Sequence, residues 1–250
     1  MLVGKNLCLL GGSGYVGSAI AKKAQKLGAQ VTCISRRGAP ITRQDWQQNI
    51  QYVQADVTDP EKISQNLEKA DAVINTVGTL IDTTFTQGKK PGEYGTYEHL
   101  NRDVAINVAN KLESFKQYKK IVYLSSAAPP PFINRYITTK QEAEEHLLSL
   151  THVKSTILRP GFIYSFQERW WSLIVRYECD AWNYLHTKLM ENVPQNSVMK
   201  DIVEKFYVER SVLLKDVVNA ALYSSVNKET DGLRLSNEDI EKYSEIFEKK

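Results

Sequence analysis

The sequence has no apolar run approaching the ~20 residues that a membrane-spanning helix needs, and its mean hydropathy is −0.39. A transmembrane protein is therefore excluded. With 13 glycines and 8 prolines among 250 residues, the chain also lacks the composition of a low-complexity linker. The chain also has no large excess of one charge, because 32 Lys and Arg are balanced by 29 Asp and Glu. This balance argues against a dedicated nucleic-acid-binding protein.

Cysteine and histidine are few and lack the spacing of metal ligands. Cys8, Cys33 and Cys179 form no CxxC pair, and the first two lie in apolar runs, so we expect them to be buried and reduced. The four histidines match no zinc motif. The sequence predicts no metal site. Neither an apolar signal segment nor an Arg-rich presequence precedes the first strand, which indicates a cytosolic protein or a targeting segment outside this sequence.

Short β-rich runs alternate with segments of helical period, which is typical of an α/β fold with a parallel sheet. We expect about seven strands in a doubly wound, Rossmann-type arrangement with right-handed crossovers. The runs with clear bounds are Asn6–Leu10, Gln30–Ser35, Gln51–Ala55, Ala72–Val77, Lys120–Ser125 and Ser155–Leu158.

Amphipathic segments between these runs predict the helices. They are Ser18–Leu27, Tyr97–Phe115 and Ile137–Leu150, with a further helix around 215–222 and a tail that begins at Ser236. In the second helix, four apolar residues recur at every fourth position and should face the sheet. They are Leu100, Val104, Val108 and Leu112.

Two stretches break this rhythm. Thr79–Gly95 has no period and several Gly and Pro residues, so we expect an exposed loop at the carboxyl end of a strand, close to a ligand. Residues 162–210 carry Trp170, Trp171 and Trp182 in an irregular, partly helical region. Their aromatic side chains indicate either a substrate site or the core of a small lobe. The predicted division is a nucleotide-binding domain at 1–161 and a small C-terminal lobe at 162–250, packed on that domain.

A glycine-rich turn between the first strand and the first helix predicts a dinucleotide site. Its spacing, GxxGxxG, allows a tight turn, close approach of the backbone to a pyrophosphate and close packing of the helix. The N–H groups at the start of the helix then face the phosphates. The candidate contacts in this turn are Gly11, Ser13, Gly14, Tyr15, Val16 and Gly17.

The ends of the next strands favour NADP(H) over NAD(H). An NAD-binding protein usually carries an acidic residue at the end of the second strand, but this chain has two arginines there, which suit a 2′-phosphate. The alternative is that both arginines are merely solvated. An acidic residue after the third strand could lie near the adenine, and the fourth strand ends where the chain passes the cofactor. The candidate contacts are Ser35, Arg36, Arg37, Asp56, Val57, Thr76, Val77 and Gly78.

Tyr136 and Lys140 stand four residues apart and so share one face of a predicted helix. A cation near the phenol should lower its pKa and help it to exchange a proton with a carbonyl or an alcohol. Tyr184 and Lys188 have the same spacing. The first pair alone follows the fifth strand, whose final serines could orient a carbonyl oxygen, so we predict that Tyr136 and Lys140 are catalytic.

These motifs resemble, over residues 5 to about 165, the short-chain dehydrogenase/reductase superfamily in its extended or atypical branch. The resemblance implies that Tyr136 is the acid/base and that Lys140 holds the nicotinamide ribose. It also implies that Ser125 or Ser126 binds the substrate oxygen. Asn101 matches a helix asparagine that often supports the active-site lysine. The resemblance implies three further positions near the cofactor: Asn101, Pro160 and Gly161.

Four segments, VINTVGTLID, TYEHLN, YITTKQEAE and ILRPGFIYS, look like a mitochondrial atypical reductase group associated with coenzyme Q biosynthesis. Its sibling group is the NAD(P)-binding accessory subunit of respiratory complex I. The resemblance implies a matrix-side protein held peripherally against the inner membrane among the subunits of a larger complex. It also implies a quinone or another hydrophobic small molecule as ligand.

Three functions therefore remain open. The first is an accessory component in which NADP(H) is a structural ligand, and the stiff Pro129–Pro131 loop favours it. The second is an active NADPH-dependent oxidoreductase acting on a hydrophobic carbonyl compound beside Trp170 and Trp171, and the retained Tyr136 and Lys140 favour it. The third is an epimerase or dehydratase, which is less expected because only about 85 residues follow position 165.

Overall fold

Seven parallel strands form the central sheet of the computed structural model, which describes residues 2–127, 134–166, 171–193 and 207–249. The strands of this sheet are β1 (Asn6–Leu10), β2 (Gln30–Ser35), β3 (Gln51–Gln54), β4 (Ala72–Asn75), β5 (Lys119–Leu124), β6 (Val153–Leu158) and β9 (Arg234–Leu235). Their order is β3-β2-β1-β4-β5-β6-β9. This order confirms the predicted Rossmann-type fold. It changes direction between β1 and β4, where ligands bind in such sheets.

Helices cover both faces of the sheet: α1 (Tyr15–Lys26), α7 (Leu214–Val226) and α8 (Asn237–Glu248) on one face, and α2 (Ser64–Lys69), α4 (Val104–Ser114) and α5 (Asn134–Ser149) on the other. Two further helices, α3 (Thr83–Gln87) and α6 (Ser172–Asn192), contribute no residue to the hydrophobic core on either face. A separate pair of short parallel strands, β7 (Ile163–Tyr164) and β8 (Val212–Leu213), lies outside the main sheet. No helix in the described ranges has the length and apolarity to cross a membrane.

The alternation of side chains along β1 builds two hydrophobic cores. Leu7 and Leu9 pack into the cluster that contains residues of α1, α7 and α8. Cys8 and Leu10 point to the opposite face and join residues of α2, α4 and α5. Because both faces are covered, the strand is apolar along nearly its whole length. Burial raises the pKa of the Cys8 thiol to about 12, in keeping with the buried cysteine expected from the sequence.

The predicted helix Tyr97–Phe115 begins with a π-helical turn, Glu98–Asp103, before α4. Val104, Val108 and Leu112 are fully buried, as their spacing predicts. Leu100 packs against the same core, as its spacing predicts, but it is only half-buried because it also lines a cleft at the edge of the sheet.

Several element boundaries lie one to three residues from those predicted, and two segments predicted as loop or irregular contain helices. The fourth strand ends at Asn75 instead of Val77, since the Asn75 side chain accepts a hydrogen bond from Val77 N (3.0 Å) and turns the chain. The loop Thr79–Gly95 contains α3, and the irregular region 162–210 contains the 21-residue α6. Trp170 and Pro129–Pro131 lie outside the described residues. The tail folds as expected, with Ser236 and Asp239 forming a capping box.

Candidate functional site

The glycine turn follows β1 and leads directly into α1. Gly11 has φ +80°, a conformation that glycine adopts without strain. A Cβ on Gly11 would lie 2.8 Å from the hydroxyl of Thr76, and a Cβ on Gly17 would overlap the carbonyl oxygen of Gly11. Thr76 in turn donates to the carbonyl oxygen of Leu10 (2.9 Å). The absence of side chains therefore lets the start of α1, the turn and the end of β4 meet.

A cleft of about 440 Å³ opens beside this turn at the carboxyl ends of β1, β2 and β4. Most of the residues that the sequence predicts to contact the cofactor line this cleft. The lining residues are Gly11, Ser13, Gly14, Ile34, Ser35, Arg36, Arg37, Asp56, Val57, Thr58, Thr76, Val77, Gly78 and Leu100. Of the other predicted contacts in the turn, Tyr15 and Val16 pack partly buried against the core, and Gly17 is buried.

One end of the cleft carries arginines and a carboxylate. Arg36 and Arg37 are exposed at the end of β2. Burial raises the pKa of Asp56, but hydrogen bonds from Thr58 and from the hydroxyl of Tyr94 outweigh burial and hold it below the ordinary carboxyl value. Asp56 is therefore ionised at neutral pH. Tyr94 belongs to the loop that the sequence placed near a ligand, but the sequence analysis did not single it out.

The phenol of Tyr136 lies in the first turn of α5 and is only 8% exposed. Burial raises its pKa to about 12, against the opposing effect of a hydrogen bond with Ser126. The ring of Tyr97 packs edge-on against it at a centroid distance of 5.6 Å. The sequence predicted a lowered pKa for this phenol, whereas burial makes the net shift upward.

Lys140 points in from the same face of α5 and is 4% exposed. Its Nζ donates to the backbone oxygen of Leu124 (2.9 Å) and lies 5.6 Å from the centre of the Tyr136 ring. Burial lowers the pKa of Lys140 to about 8, although the carboxylate of Glu144 acts in the opposite direction. Lys140 is therefore a buried ammonium that loses its proton only slightly above neutral pH.

Asn101 lies fully buried in the π-helical turn. Its side chain accepts from Thr79 N (2.8 Å) and donates to Thr79 O (3.1 Å). Asn101 thus fixes the backbone that follows β4. Any support that it gives to Lys140 acts through this backbone and not through a direct hydrogen bond. A Cβ on Gly78 would lie 2.9 Å from the Asn101 Oδ1 and 3.5 Å from the Lys140 Nζ. Glycine at this position therefore lets the backbone pass between the two side chains.

The two candidate serines have different environments. Ser125 donates its hydroxyl to the fully buried carboxylate of Glu144, which also binds Arg159 and Arg234. Ser126 instead lies close enough to Tyr136 to lower the pKa of its phenol. The structure therefore brings only Ser126 to the phenol.

Pro160 and Gly161 are absent from the lining of the cleft. The carbonyl oxygen of Pro160 accepts from Ala127 N (2.9 Å), and the N–H of Gly161 donates to the side chain of Asn237 (3.0 Å). They tie the ends of β5 and β6 to α8. A cofactor bound in this cleft would therefore not need Pro160 or Gly161 as lining residues, and their contact with it stays a prediction.

An ion-pair cluster that the sequence analysis missed fixes the loop Thr79–Gly95 next to Tyr136. Arg135 binds Asp82 (2.7 Å) and makes a bidentate pair with Glu98 (2.7 and 2.8 Å). Tyr97 donates to the carbonyl oxygen of Leu80 (2.8 Å). No periodicity could reveal these contacts, because they join residues far apart in sequence.

Comparison with known proteins matches the cleft to a cofactor-binding family. A family model described as NAD(P)H-binding matches residues 11–175. The uncharacterised chloroplastic protein At1g32220 of Arabidopsis thaliana is 32% identical over 64% of this chain and 51% of its own length. The MIOREX complex component 2 of Saccharomyces cerevisiae is 29% identical over 63% of this chain and 72% of its own length.

Solved structures match over nearly the whole chain. The Bordetella bronchiseptica enzyme WbmF, in complex with NAD+, superposes with a TM-score of 0.62 and 16% identity, covering 99% of this chain and 79% of WbmF. At this identity the match shows the fold alone. The chain spans about half the length of the plant relative.

Proposed function

Because the chain belongs to the NAD(P)H-binding family, we propose that it is an NADP(H)-dependent reductase of a hydrophobic carbonyl compound. The observation that carries this proposal is the grouping of Ser126, Tyr136 and Lys140 next to a cleft built by the glycine turn. A protein that needs its dinucleotide only as a structural ligand has no use for a buried phenol and a buried ammonium in contact with each other.

The cleft fits a phosphorylated dinucleotide. Glycines at the turn leave room for a pyrophosphate at the start of α1. Arg36 and Arg37 offer guanidinium groups at the position where a carboxylate would favour NAD(H). These two residues support the proposed preference for NADP(H).

The side chains can handle the proton of a reduction. When bound, the reduced nicotinamide supplies a hydride to the carbonyl carbon. Tyr136, with a pKa of about 12, keeps its proton at neutral pH and can donate it to the oxygen that becomes an alcohol. Ser126 lies where its hydroxyl can bind the same oxygen. Lys140 uses one N–H on Leu124 and retains two for a ribose hydroxyl.

Exposed apolar side chains on the loop Thr79–Gly95 support a hydrophobic substrate. Leu80 and Ile81 are each 68% exposed, and Phe85 is 84% exposed. The loop that carries them is tied to Tyr97, whose ring contacts Tyr136. Exposed aliphatic and aromatic groups next to a polar centre are typical of sites for apolar ligands.

The test is oxidation of NADPH by the purified chain in the presence of hydrophobic aldehydes, ketones and quinones. We expect turnover with at least one of these classes and its loss, by a factor of about 10² or more, in Tyr136→Phe. Tyr184→Phe is the matched control, since Tyr184 heads the second Tyr/Lys pair but is 63% exposed on α6. Equal activity in both variants would contradict the proposed role of Tyr136.

A second candidate is an accessory component of a mitochondrial inner-membrane assembly that handles quinones. The yeast relative named as a component of the MIOREX complex supports membership of a complex. On α6, large apolar side chains are more than half exposed, and such a face suits a protein partner. They are Ile174, Tyr177, Leu185 and Leu189.

Native purification from the source organism separates the two candidates. Co-purifying proteins and released dinucleotide would be identified by mass spectrometry. Stoichiometric NADP(H) and constant partners, with normal assembly by Tyr136→Phe, would favour the accessory role. Recovery of the chain without partners and with freely exchanging cofactor would favour the reductase alone.

A further inference from the structure

We propose that Lys89 and Tyr94, both in the loop Thr79–Gly95, complete the subsite for a phosphate on the adenosine ribose of the dinucleotide. This inference rests on the proposed preference for NADP(H) and names residues outside the family motifs. In it, Lys89 is a direct phosphate ligand and Tyr94 is a positioning residue for Arg36.

Tyr94 joins the loop to the arginine end of the cleft. Its hydroxyl accepts a hydrogen bond from the guanidinium of Arg36 and lies close enough to the carboxylate of Asp56 to lower its pKa. The guanidinium carbon of Arg36 also lies 5.7 Å from the centre of the Tyr94 ring. An exposed arginine on a strand end would otherwise sample many rotamers, so this anchoring pre-organises Arg36 for a ligand.

Lys89 is brought to the same place by the same tyrosine. Its Nζ donates to the carbonyl oxygen of Tyr94 (2.7 Å) and lies 5.7 Å from the centre of the Tyr94 ring. The ammonium of Lys89 and the guanidinium of Arg36 therefore share one aromatic ring. Two like charges held this close create a region of positive potential at the rim of the cleft.

The positive charge of this region is only partly balanced within the described parts of the chain. Arg36, Arg37 and Lys89 form no salt bridge there. Asp56 is the carboxylate that lines the cleft, and Thr58, Tyr94 and the nearby charge of Arg36 stabilise its ionised form. Arg37 in the lining and Lys89 on the Tyr94 ring add positive charge beyond the Arg36 and Asp56 pair, which suits a phosphate dianion better than two ribose hydroxyls.

Binding of two adenosine fragments tests the proposal directly. Adenosine 2′,5′-bisphosphate carries the ribose phosphate, whereas 5′-AMP lacks it, and neither reaches the catalytic residues. Dissociation constants would be measured by calorimetry for the full chain and for Lys89→Met, Tyr94→Phe and Lys90→Met. Lys90 is the matched control, because it lies in the same loop, is exposed and has the same charge.

We expect Lys89→Met to weaken binding of the bisphosphate about tenfold and Tyr94→Phe about threefold, while binding of 5′-AMP changes less than about twofold. Lys90→Met should change neither constant by more than about twofold. Equal effects of Lys89→Met and Lys90→Met would overturn the inference and leave the NADP(H) preference standing. A wild-type chain that binds both fragments equally would overturn both.

Discussion

The side chain of Ser126 lies close enough to the phenol of Tyr136 to lower its pKa, across the gap between the end of β5 and the first turn of α5. Ser126→Ala should therefore lower kcat about a hundredfold with little change in cofactor affinity, because one donor to the reacting oxygen is lost. Steady-state kinetics with the carbonyl compound found active, and fluorescence titration with NADPH, would measure the two effects.

Ser125→Ala is the internal comparison. Its hydroxyl serves Glu144, so its loss should leave kcat nearly unchanged and destabilise the fold by about 1–3 kcal/mol, since a buried carboxylate loses a donor. Urea unfolding would measure that cost. If the two serine variants exchanged these phenotypes, Ser125 would be the residue that binds the substrate oxygen.

The double substitution Arg36→Ala and Arg37→Ala should weaken NADPH binding by more than about tenfold and NADH binding by less than about threefold. The reason is that only NADPH carries the phosphate that guanidinium groups would bind. Titration of both cofactors checks it, with Arg43→Ala as the control. Arg43 is exposed and stacks on Tyr52 at 5.1 Å, away from the residues that line the cleft. Equal losses for the two cofactors would contradict the proposed preference.

The sequence predicted those parts of the fold that depend on neighbouring residues. The glycine turn, the buried β1 and the stripe of Val104, Val108 and Leu112 follow from local spacing and from the two helical and extended periods. The capping box at Ser236 is equally local. Each of these features is specified within about a dozen residues, so tertiary structure had little opportunity to change it.

The site depended more on contacts between distant segments. Ser125 and Ser126 are identical in type, and strand alternation predicts only that they point to opposite faces. The two are told apart by the hydrogen bond of Ser125 to Glu144 on α5, a contact between segments distant in sequence. Tyr94 could not be recognised for a similar reason, because its place beside Arg36 depends on the path of the whole loop. Whether this loop approaches a ligand stays a prediction, which the binding measurements on Lys89 and Tyr94 would test.

Gly17→Ala should destabilise the chain by about 1–3 kcal/mol, because the added methyl group would overlap the carbonyl oxygen of Gly11. Inside a helix such as α1 the same exchange normally stabilises by about 1 kcal/mol, so the sign of the effect is diagnostic. Gly14→Ala is the milder comparison, since its Cβ would lie 3.1 Å from the same oxygen. Thermal unfolding without cofactor measures both. A Gly17→Ala protein as stable as wild type would mean that the turn can open, and would remove the steric argument for its glycines.

Lys140 should make the stability of the fold depend on pH above neutrality. Burial lowers its pKa to about 8, whereas the same lysine in the unfolded chain keeps an ordinary, higher value. Between these two values the unfolded chain binds a proton that the folded chain does not, so the contribution of Lys140 to stability improves as pH rises. From about pH 7.5 to about pH 9.5 this contribution should amount to about 2 kcal/mol.

Lys140→Met keeps the unbranched apolar stem and removes the titrating group. Urea unfolding at the two pH values should therefore show that wild type gains about 2 kcal/mol relative to Lys140→Met as pH rises. Lys90→Met is the control, because it removes an exposed lysine. Its free energy of unfolding should change with pH as that of wild type does. A difference between wild type and Lys140→Met that is the same at both pH values would mean that the ammonium is already solvated in the folded chain. In that case Lys140 would stay charged well above pH 8, and any loss of reductase activity in that range would have to come from another group.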